Sequence, residues 1–231
     1  MKIGGIQPVT LLDYPQKLAA IIFTQGCNMR CPFCYNPSLV LPQMTEGKEG
    51  FSEEDVLAFL KKRKKYLDAV VISGGEPTIQ ADLKDFCKKI KKMGYQLKID
   101  TNGLRSEIIS DLISQNLVDY IAMDIKGPFT DYKNFCGVDA DESVLARSVK
   151  IIKESGLPYE FRSTLVKPMH KENDVLEMAK AVKGAKTYYL QNFTKQAKLV
   201  DDNFSGTHFT AIEMENFKNI ADKLVKKCII R

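Results

Sequence analysis

Three of the chain's six cysteines fall in one short run, Cys27-Asn-Met-Arg-Cys31-Pro-Phe-Cys34, directly after the β-rich stretch Leu18–Gln25. A fold for this sequence has to set a thiol-lined loop where a strand runs out. Three thiolates this close together form a metal clamp with one coordination position open. An iron–sulfur cube has four irons and normally takes four cysteine ligands. With three supplied, one iron is left to bind something that is not protein. Reductive chemistry on a chelating cosubstrate requires that kind of vacancy.

A Cys3His zinc site would use the same three thiolates and one imidazole. The chain holds two histidines, His170 and His208, both far away in sequence, and no second Cys-x2-Cys or Cys/His pair. A zinc-binding interaction module stands as the weaker alternative. A disulfide framework is weaker still, because nothing at the N-terminus reads as a secretory signal. Cys87, Cys136 and Cys228 are scattered singly and read as small buried hydrophobes in a reducing compartment.

At 231 residues the chain is long enough for a substantial core and still reads as one domain over residues 1–231. Its 44% hydrophobic and 27% charged content, without a long apolar run, implies a soluble globular protein with no membrane partner, placed in the cytoplasm. The net charge is +5, concentrated at Lys61-Lys62-Arg63-Lys64-Lys65 and at Lys88-Lys89 with Lys91-Lys92. Both runs fall near the ends of helix-like segments, where cations offset the C-terminal partial negative charge. No interleaved aromatics or reading motif accompany them, so no nucleic-acid partner is expected.

Short β-rich runs alternate with amphipathic stretches, the pattern of successive βα units on a parallel sheet. Strands are expected at Leu18–Gln25, Ala69–Ser73, Gln96–Thr101, Val118–Ile125, Pro158–Val166 and 187–192. Helices are expected from Ser52 (an N-cap), over 79–93 up to Gly94, and over 104–115. Three more fall over 141–155 up to Gly156, 172–182 and 209–227. That makes about six units, fewer than the eight of a closed barrel. The expected fold is therefore α/β, an incomplete (β/α)6 barrel with parallel strands. Residues 194–208 read as a mobile loop.

In parallel α/β architectures, function gathers at the C-terminal ends of strands. The first strand ends in the cysteine loop and the second in Gly74-Gly75-Glu76-Pro77, where absent Cβ atoms let backbone approach a ligand closely. The third ends in Asp100-Thr101-Asn102-Gly103. The fourth ends in Asp124-Ile125-Lys126, where alternation puts the carboxylate and the ammonium on one face. Such a lysine can hold a ligand carboxylate. Each alone could be an ordinary turn or surface ion pair; their recurrence at strand ends points to one site. Arg162 and Gln191-Asn192 follow as weaker candidates on the fifth and sixth strands.

Ile3-Gly-Gly-Ile-Gln-Pro8, Leu12-Asp-Tyr-Pro15 and Phe23-Thr-Gln-Gly-Cys-Asn-Met-Arg-Cys-Pro-Phe-Cys-Tyr-Asn-Pro37 together resemble one family. It is that of the anaerobic ribonucleoside-triphosphate reductase activating proteins, radical S-adenosylmethionine (SAM) enzymes related to pyruvate formate-lyase activating enzyme. The resemblance covers essentially the whole chain and is most specific in residues 1–40. It implies a radical SAM core in which Cys27, Cys31 and Cys34 hold a [4Fe-4S] cluster whose fourth iron is chelated by S-adenosylmethionine. It also implies Phe33 near the adenine, Gly74, Gly75 and Glu76 at the amino group, and Lys126 at the carboxylate, with Asn102 and Arg162 among the cosubstrate contacts. Asp100, Thr101, Asp124 and the backbone carbonyl of Ala122 would bind a monovalent cation.

The chemistry so implied passes one electron from a donor such as flavodoxin or ferredoxin to the sulfonium. Methionine and a 5′-deoxyadenosyl radical result, and the radical takes a hydrogen from a glycine of a partner, a glycyl-radical enzyme such as anaerobic ribonucleotide reductase. Asp13 and Tyr14 are candidates for receiving the partner's loop, with plain structural packing the favoured account of both. Two positions depart from the family pattern: Tyr35 stands where histidine is usual, and Gln16 where glycine is usual. A tyrosine donates a hydrogen bond but does not take up a proton as imidazole does. A radical SAM enzyme acting on a small molecule, as deazaguanine synthases do, is the principal alternative.

Overall fold

Residues Ile3–Thr10 form the first strand, β1, despite two glycines and a proline in the run. It pairs antiparallel with β2 (Ala19–Thr24), from Ile3↔Thr24 to Thr10↔Ala19, with two register shifts along the way. An edge position explains both the tolerance of Pro8 and the weakness of the sequence signal, because an edge strand needs fewer ladder donors. The expected first strand at Leu18 is thus the second. The computed structural model describes residues 1–45, 50–195 and 198–231.

The chain divides into two units. The first comprises Met1–Asn28, Asn36–Thr101 and Glu107–Ile121; the second comprises Met29–Tyr35, Asn102–Ser106 and Ala122–Arg231.

In the first unit, β2 is followed by two short helices, α1 (Pro37–Val40) and α2 (Pro42–Thr45), then by α3 (Glu53–Arg63), β3 (Ala69–Gly74), α4 (Leu83–Lys92) and β4 (Gln96–Thr101). β2, β3 and β4 are parallel neighbours. Ala19–Ile22 and Ala69–Ile72 are buried throughout, as strands covered on both faces should be. Tyr14, Ala19, Ile21, Ala69 and Val71 form one core cluster, with Phe23 and Tyr120 packed against it. Tyr14 is therefore a packing residue. The Ser52 hydroxyl accepts from the Asp55 N–H at 3.0 Å, confirming the expected cap of α3, and Lys61, Lys62 and Arg63 occupy its last turn. α4 starts later than expected because Pro77–Ile79 first makes a separate 3-10 turn, capped by the Glu76 side chain. It buries Leu83, Phe86, Cys87 and Ile90 at helical spacing, and burial pushes the Cys87 thiol up to about 12. Gly94, at φ +79, follows it. Helix α5 (Ser106–Ser114) then leads to β5 (Tyr120–Asp124), whose residues from Ala122 on belong to the second unit.

The second unit continues with α6 (Tyr132–Cys136), α7 (Glu142–Glu154), β6 (Tyr159–Leu165), α8 (Glu172–Ala181), β7 (Tyr188–Asn192), α9 (Ala211–Asp222) and β8 (Cys228–Ile230). β6, β7 and β8 are parallel, with Phe161↔Tyr188 and Tyr188↔Cys228 among the register pairs. The expected last helix stops at Asp222, where the Leu224 and Val225 N–H groups close a turn on the Ala221 carbonyl, and β8 follows beyond that run at Cys228. Three residues are too few for periodicity to show a strand. Of the 194–208 stretch, residues 196 and 197 lie outside the described residues. Within the rest, Lys167 and Thr207 exchange backbone hydrogen bonds of 2.9 and 2.8 Å. Among the described residues no helix is long and apolar enough to cross a membrane.

Candidate functional site

β2 and β3 run in register from Ala19↔Ala69 to Thr24↔Gly74, so the segment leading to Cys27 and the Gly74–Glu76 turn leave the sheet side by side. The Gly75 N–H donates to the Thr24 carbonyl at 2.9 Å, and the Glu76 N–H to the Gly26 carbonyl at 2.8 Å. A Cβ on Gly74 would stand 2.5 Å from the Thr24 nitrogen, and one on Gly75 would stand 1.9 Å from the Gly26 oxygen. Gly74 also has φ +109, open to glycine at no steric cost. Both glycines are required by the approach of one turn to the other, a role that spacing alone did not reveal.

Glu76 is buried, and its Oε1 accepts from the Thr78 N–H at 3.1 Å, from the Thr78 hydroxyl and from the Thr101 hydroxyl at 2.8 Å. One carboxylate thus ties the end of β3 to the end of β4. Asp100 Oδ2 accepts from the Ser73 hydroxyl at 3.0 Å, and Lys98 Nζ lies 3.3 Å from Asp100 Oδ1. Lys98 is buried and also donates to the Asp13 carbonyl. Sequence reasoning passed over Lys98 and Thr78. On a strand, Lys98 shares a face with Asp100 whether that face is wet or dry, so alternation carried no sign of burial.

In the second unit, the Cys34 N–H donates to the Cys31 carbonyl at 3.1 Å, closing a tight turn. Neighbouring main chain holds that turn: Arg30 N–H donates to Cys136 O at 2.7 Å, Val200 N–H to Cys34 O at 3.1 Å, and Asp201 N–H to Pro32 O at 3.2 Å. Phe33 is buried, with its ring 6.2 Å from His170 and 6.3 Å from Phe204. Tyr35 stacks on Phe193 at 5.5 Å, and its hydroxyl accepts from the Thr194 N–H at 3.0 Å. Burial raises its phenol above the ordinary value. Asn102 makes a local turn, its Oδ1 accepting from the Leu104 N–H at 3.1 Å.

Asp124 and Lys126 meet as alternation implied, with Nζ 3.2 Å from Oδ2. Arg162 Nε donates to Asp124 Oδ1 at 2.9 Å, which brings the fifth-strand candidate to the same carboxylate. Burial alone would raise Asp124, but Arg162 and Lys126 hold it well below the usual carboxylate range. Burial alone would lower Lys126, but Asp124, Cys31 and Cys34 lift it above an ordinary lysine. It is a full cation next to the cysteine turn. Tyr132, also missed, accepts from the Lys126 N–H at 3.0 Å and donates to the Asp124 carbonyl at 3.4 Å. Ala122 is buried in β5.

His170 Nδ1 accepts from the Val166 N–H at 3.1 Å, and Nε2 lies 3.0 Å from the Lys126 carbonyl. Both ring nitrogens are engaged by backbone, so this imidazole is no candidate for a Cys3His zinc site. Among the described residues no three histidine, cysteine or carboxylate side chains stand together as a ready ion cage. The fit of a cluster is therefore argued from donor chemistry. Cys27, Cys31 and Cys34 are all outside disulfides; Cys31 and Cys34 act on the Lys126 cation, and soft thiolates beside a cation suit an iron–sulfur group.

Residues 21–182 match the sequence profile of the Radical SAM superfamily. The chain belongs to that superfamily. This radical SAM chain is 35% identical to a Methanocaldococcus jannaschii protein provisionally named a glycyl-radical enzyme activating enzyme, over 99% of this chain and 95% of that one. It is 33% identical to the pyruvate formate-lyase-activating enzyme of Clostridium pasteurianum, over 54% of this chain and 52% of the relative. A Saccharolobus solfataricus protein provisionally named a GTP 3′,8-cyclase matches at 30% identity, over 54% of this chain and 40% of the relative. Among solved structures, SuiB of Streptococcus suis bound to S-adenosylmethionine superposes with a TM-score of 0.69 at 13% identity. That match covers 91% of this chain and 49% of SuiB. The fold is the α/β, parallel-strand radical SAM fold, and the radical SAM chain is an enzyme. Membership in the superfamily implies a [4Fe-4S] cluster and S-adenosylmethionine.

Proposed function

We propose that this chain cleaves S-adenosylmethionine reductively at a [4Fe-4S] cluster and generates a glycyl radical on a partner enzyme, anaerobic ribonucleoside-triphosphate reductase. The observation that supports glycyl-radical activation is the likeness to the provisionally named M. jannaschii activating enzyme across 99% of this chain and 95% of that one; the choice of reductase rests on the family resemblance of residues 1–40. The half-length likeness to a GTP cyclase covers only 40% of the relative, which favours the macromolecular substrate over the small-molecule reading.

Cys27, Cys31 and Cys34 would hold the cluster, and Gly74, Gly75 and Glu76 would line the amino end of the cosubstrate. When bound, the cluster supplies one electron to the sulfonium; the protein supplies placement and exclusion of water. Lys126, oriented by Asp124 at 3.2 Å, would meet the cosubstrate carboxylate. Arg162 shares Asp124, so that carboxylate stays ionised and Lys126 stays charged. Asp100, Thr101, Ala122 and Asp124 would form the monovalent-cation site. Asp100 has Lys98 at 3.3 Å, and Asp124 pairs with Lys126 and with Arg162. The whole 1–231 chain would work as a single radical SAM domain, with flavodoxin or ferredoxin as electron donor.

The test mixes anaerobically reduced, cluster-loaded protein with S-adenosylmethionine and the candidate reductase, then records the electron paramagnetic resonance spectrum. A glycyl-radical doublet is expected. Methionine release without any doublet would move the reading to a small-molecule substrate, and no methionine release would end it.

A further inference from the structure

His170 reaches both Phe33 of the cysteine turn and the Lys126 carbonyl, and the proposed reaction assigns it nothing. It follows β6, is 2% exposed, and packs its ring 4.9 Å from Phe135 and 6.2 Å from Phe33. Phe33 lies between Cys31 and Cys34 in the chain. Nδ1 lies 3.1 Å from the Val166 N–H and 3.4 Å from the Val166 carbonyl oxygen, and the shorter contact, to a group that can only donate, puts the lone pair on Nδ1. The proton is then on Nε2 and points to the Lys126 carbonyl at 3.0 Å. Lys126 is held a second time through its own N–H, which donates to the Tyr132 hydroxyl at 3.0 Å. Its peptide groups are thus pinned on either side, and the only soft part left is the side chain that reaches Asp124.

We propose that His170 is a positioning residue: a neutral imidazole, protonated on Nε2, that fixes the Lys126 backbone while its ring supports Phe33 within the cysteine turn. Through those two contacts it sets where the Lys126 ammonium stands relative to Cys31 and Cys34. The consequence for cosubstrate binding rests on the proposed function; the holding of Lys126 does not. Neither contact demands a charge. A cation here would give up the 3.1 Å bond from the Val166 N–H for the longer 3.4 Å contact with the Val166 carbonyl. Leu11 and Leu12, exposed just after β1, by contrast carry no inference, since nothing in the structure says what covers them.

His170→Phe keeps the ring packing and removes both hydrogen bonds, whereas His170→Gln keeps an amide donor and an acceptor. Three quantities are measured on the full, cluster-loaded chain: iron per chain, thermal midpoint, and S-adenosylmethionine affinity by equilibrium dialysis without reductant. Expected for His170→Phe is an affinity on the order of tenfold weaker at unchanged iron content, the scale on which outer-shell partners of a ligand act. His170→Gln should recover most of it. Equal affinity in wild type and His170→Phe, at matched iron content, overturns the proposal. Should His170→Phe fail to fold, the comparison of His170→Gln with wild type decides, a loss equal to that of Lys126→Ala counting against the bonding role. A wild-type chain that binds no S-adenosylmethionine would sink the parent reading. The nitrogen-15 spectrum of the imidazole then decides the rest: a bare Nδ1 with protonated Nε2 supports the holding role, and a reversed or charged ring ends it.

Discussion

Gly75 lies so close to Gly26 that a Cβ built on it would fall 1.9 Å from the Gly26 carbonyl oxygen. That oxygen also accepts the Glu76 N–H at 2.8 Å, so the segment entering the cysteine loop and the turn after β3 form one backbone-bonded unit. Gly75→Ala must push the two apart, because main chain has nowhere to yield. The expected cost is about 2 kcal/mol of stability, together with impaired cluster loading. Urea unfolding and iron analysis check this; an alanine variant that is stable and fully loaded would show that the contact is not needed.

Cys31→Ala removes one proposed cluster ligand and leaves the buried turn around it short of a thiol. Iron content should fall well below that of wild type, and S-adenosylmethionine cleavage should be lost. Reconstitution under anaerobic conditions followed by methionine assay measures both. Retained cleavage would mean that the thiols serve another purpose.

Lys126→Ala takes away an ammonium whose proposed target is the cosubstrate carboxylate, while Asp124 keeps Arg162 at 2.9 Å. The fold should therefore survive, with binding weaker by roughly tenfold or more, the scale of a charge-assisted hydrogen bond. Dialysis of the cluster-loaded variant reads the change directly, and an unaltered dissociation constant would contradict the assigned contact.

Gln16 adopts φ +61, a left-handed conformation that a side chain strains and a glycine does not. The departure from Asp-Tyr-Pro-Gly therefore keeps the turn at some cost. Gln16→Gly should gain up to about 1 kcal/mol, set against the extra freedom glycine gives the unfolded chain. Denaturant midpoints of the two proteins are compared; a destabilised glycine variant would show that the Gln16 side chain contributes more than the strain removes.

Glu213 caps α9 with Thr210 and pairs with Lys167 at 2.7 Å. The Lys167 hydrogen bond, then those from Thr210, lower its carboxyl from 4.5 to about 2. A depressed value means that its stabilising contribution is complete above the unfolded value and fades as pH falls through the folded one. The stability gap between wild type and Glu213→Gln should thus narrow between pH 4.5 and about 2. Unfolding curves across that range test it, and a gap independent of pH would assign the effect to packing.

The sequence by itself determined the local devices around the candidate site and most of the scaffold. The Cys27–Cys34 spacing, β4 at Gln96–Thr101, the Ser52 cap and the pairing of Asp124 with Lys126 all follow from local rules of spacing, capping and alternation. Those rules act over a few residues and so are written in the chain. β1 and β8 were not legible, since an edge strand with Gly4, Gly5 and Pro8, and a strand of only three residues, owe their form to the partner strand. Nor was the burial of Lys98, the meeting of Arg162 with Asp124, or the place of His170 against Phe33 and Lys126. Each joins residues remote in sequence, and which remote groups meet, and whether water is excluded where they do, is decided only when the strands and loops pack.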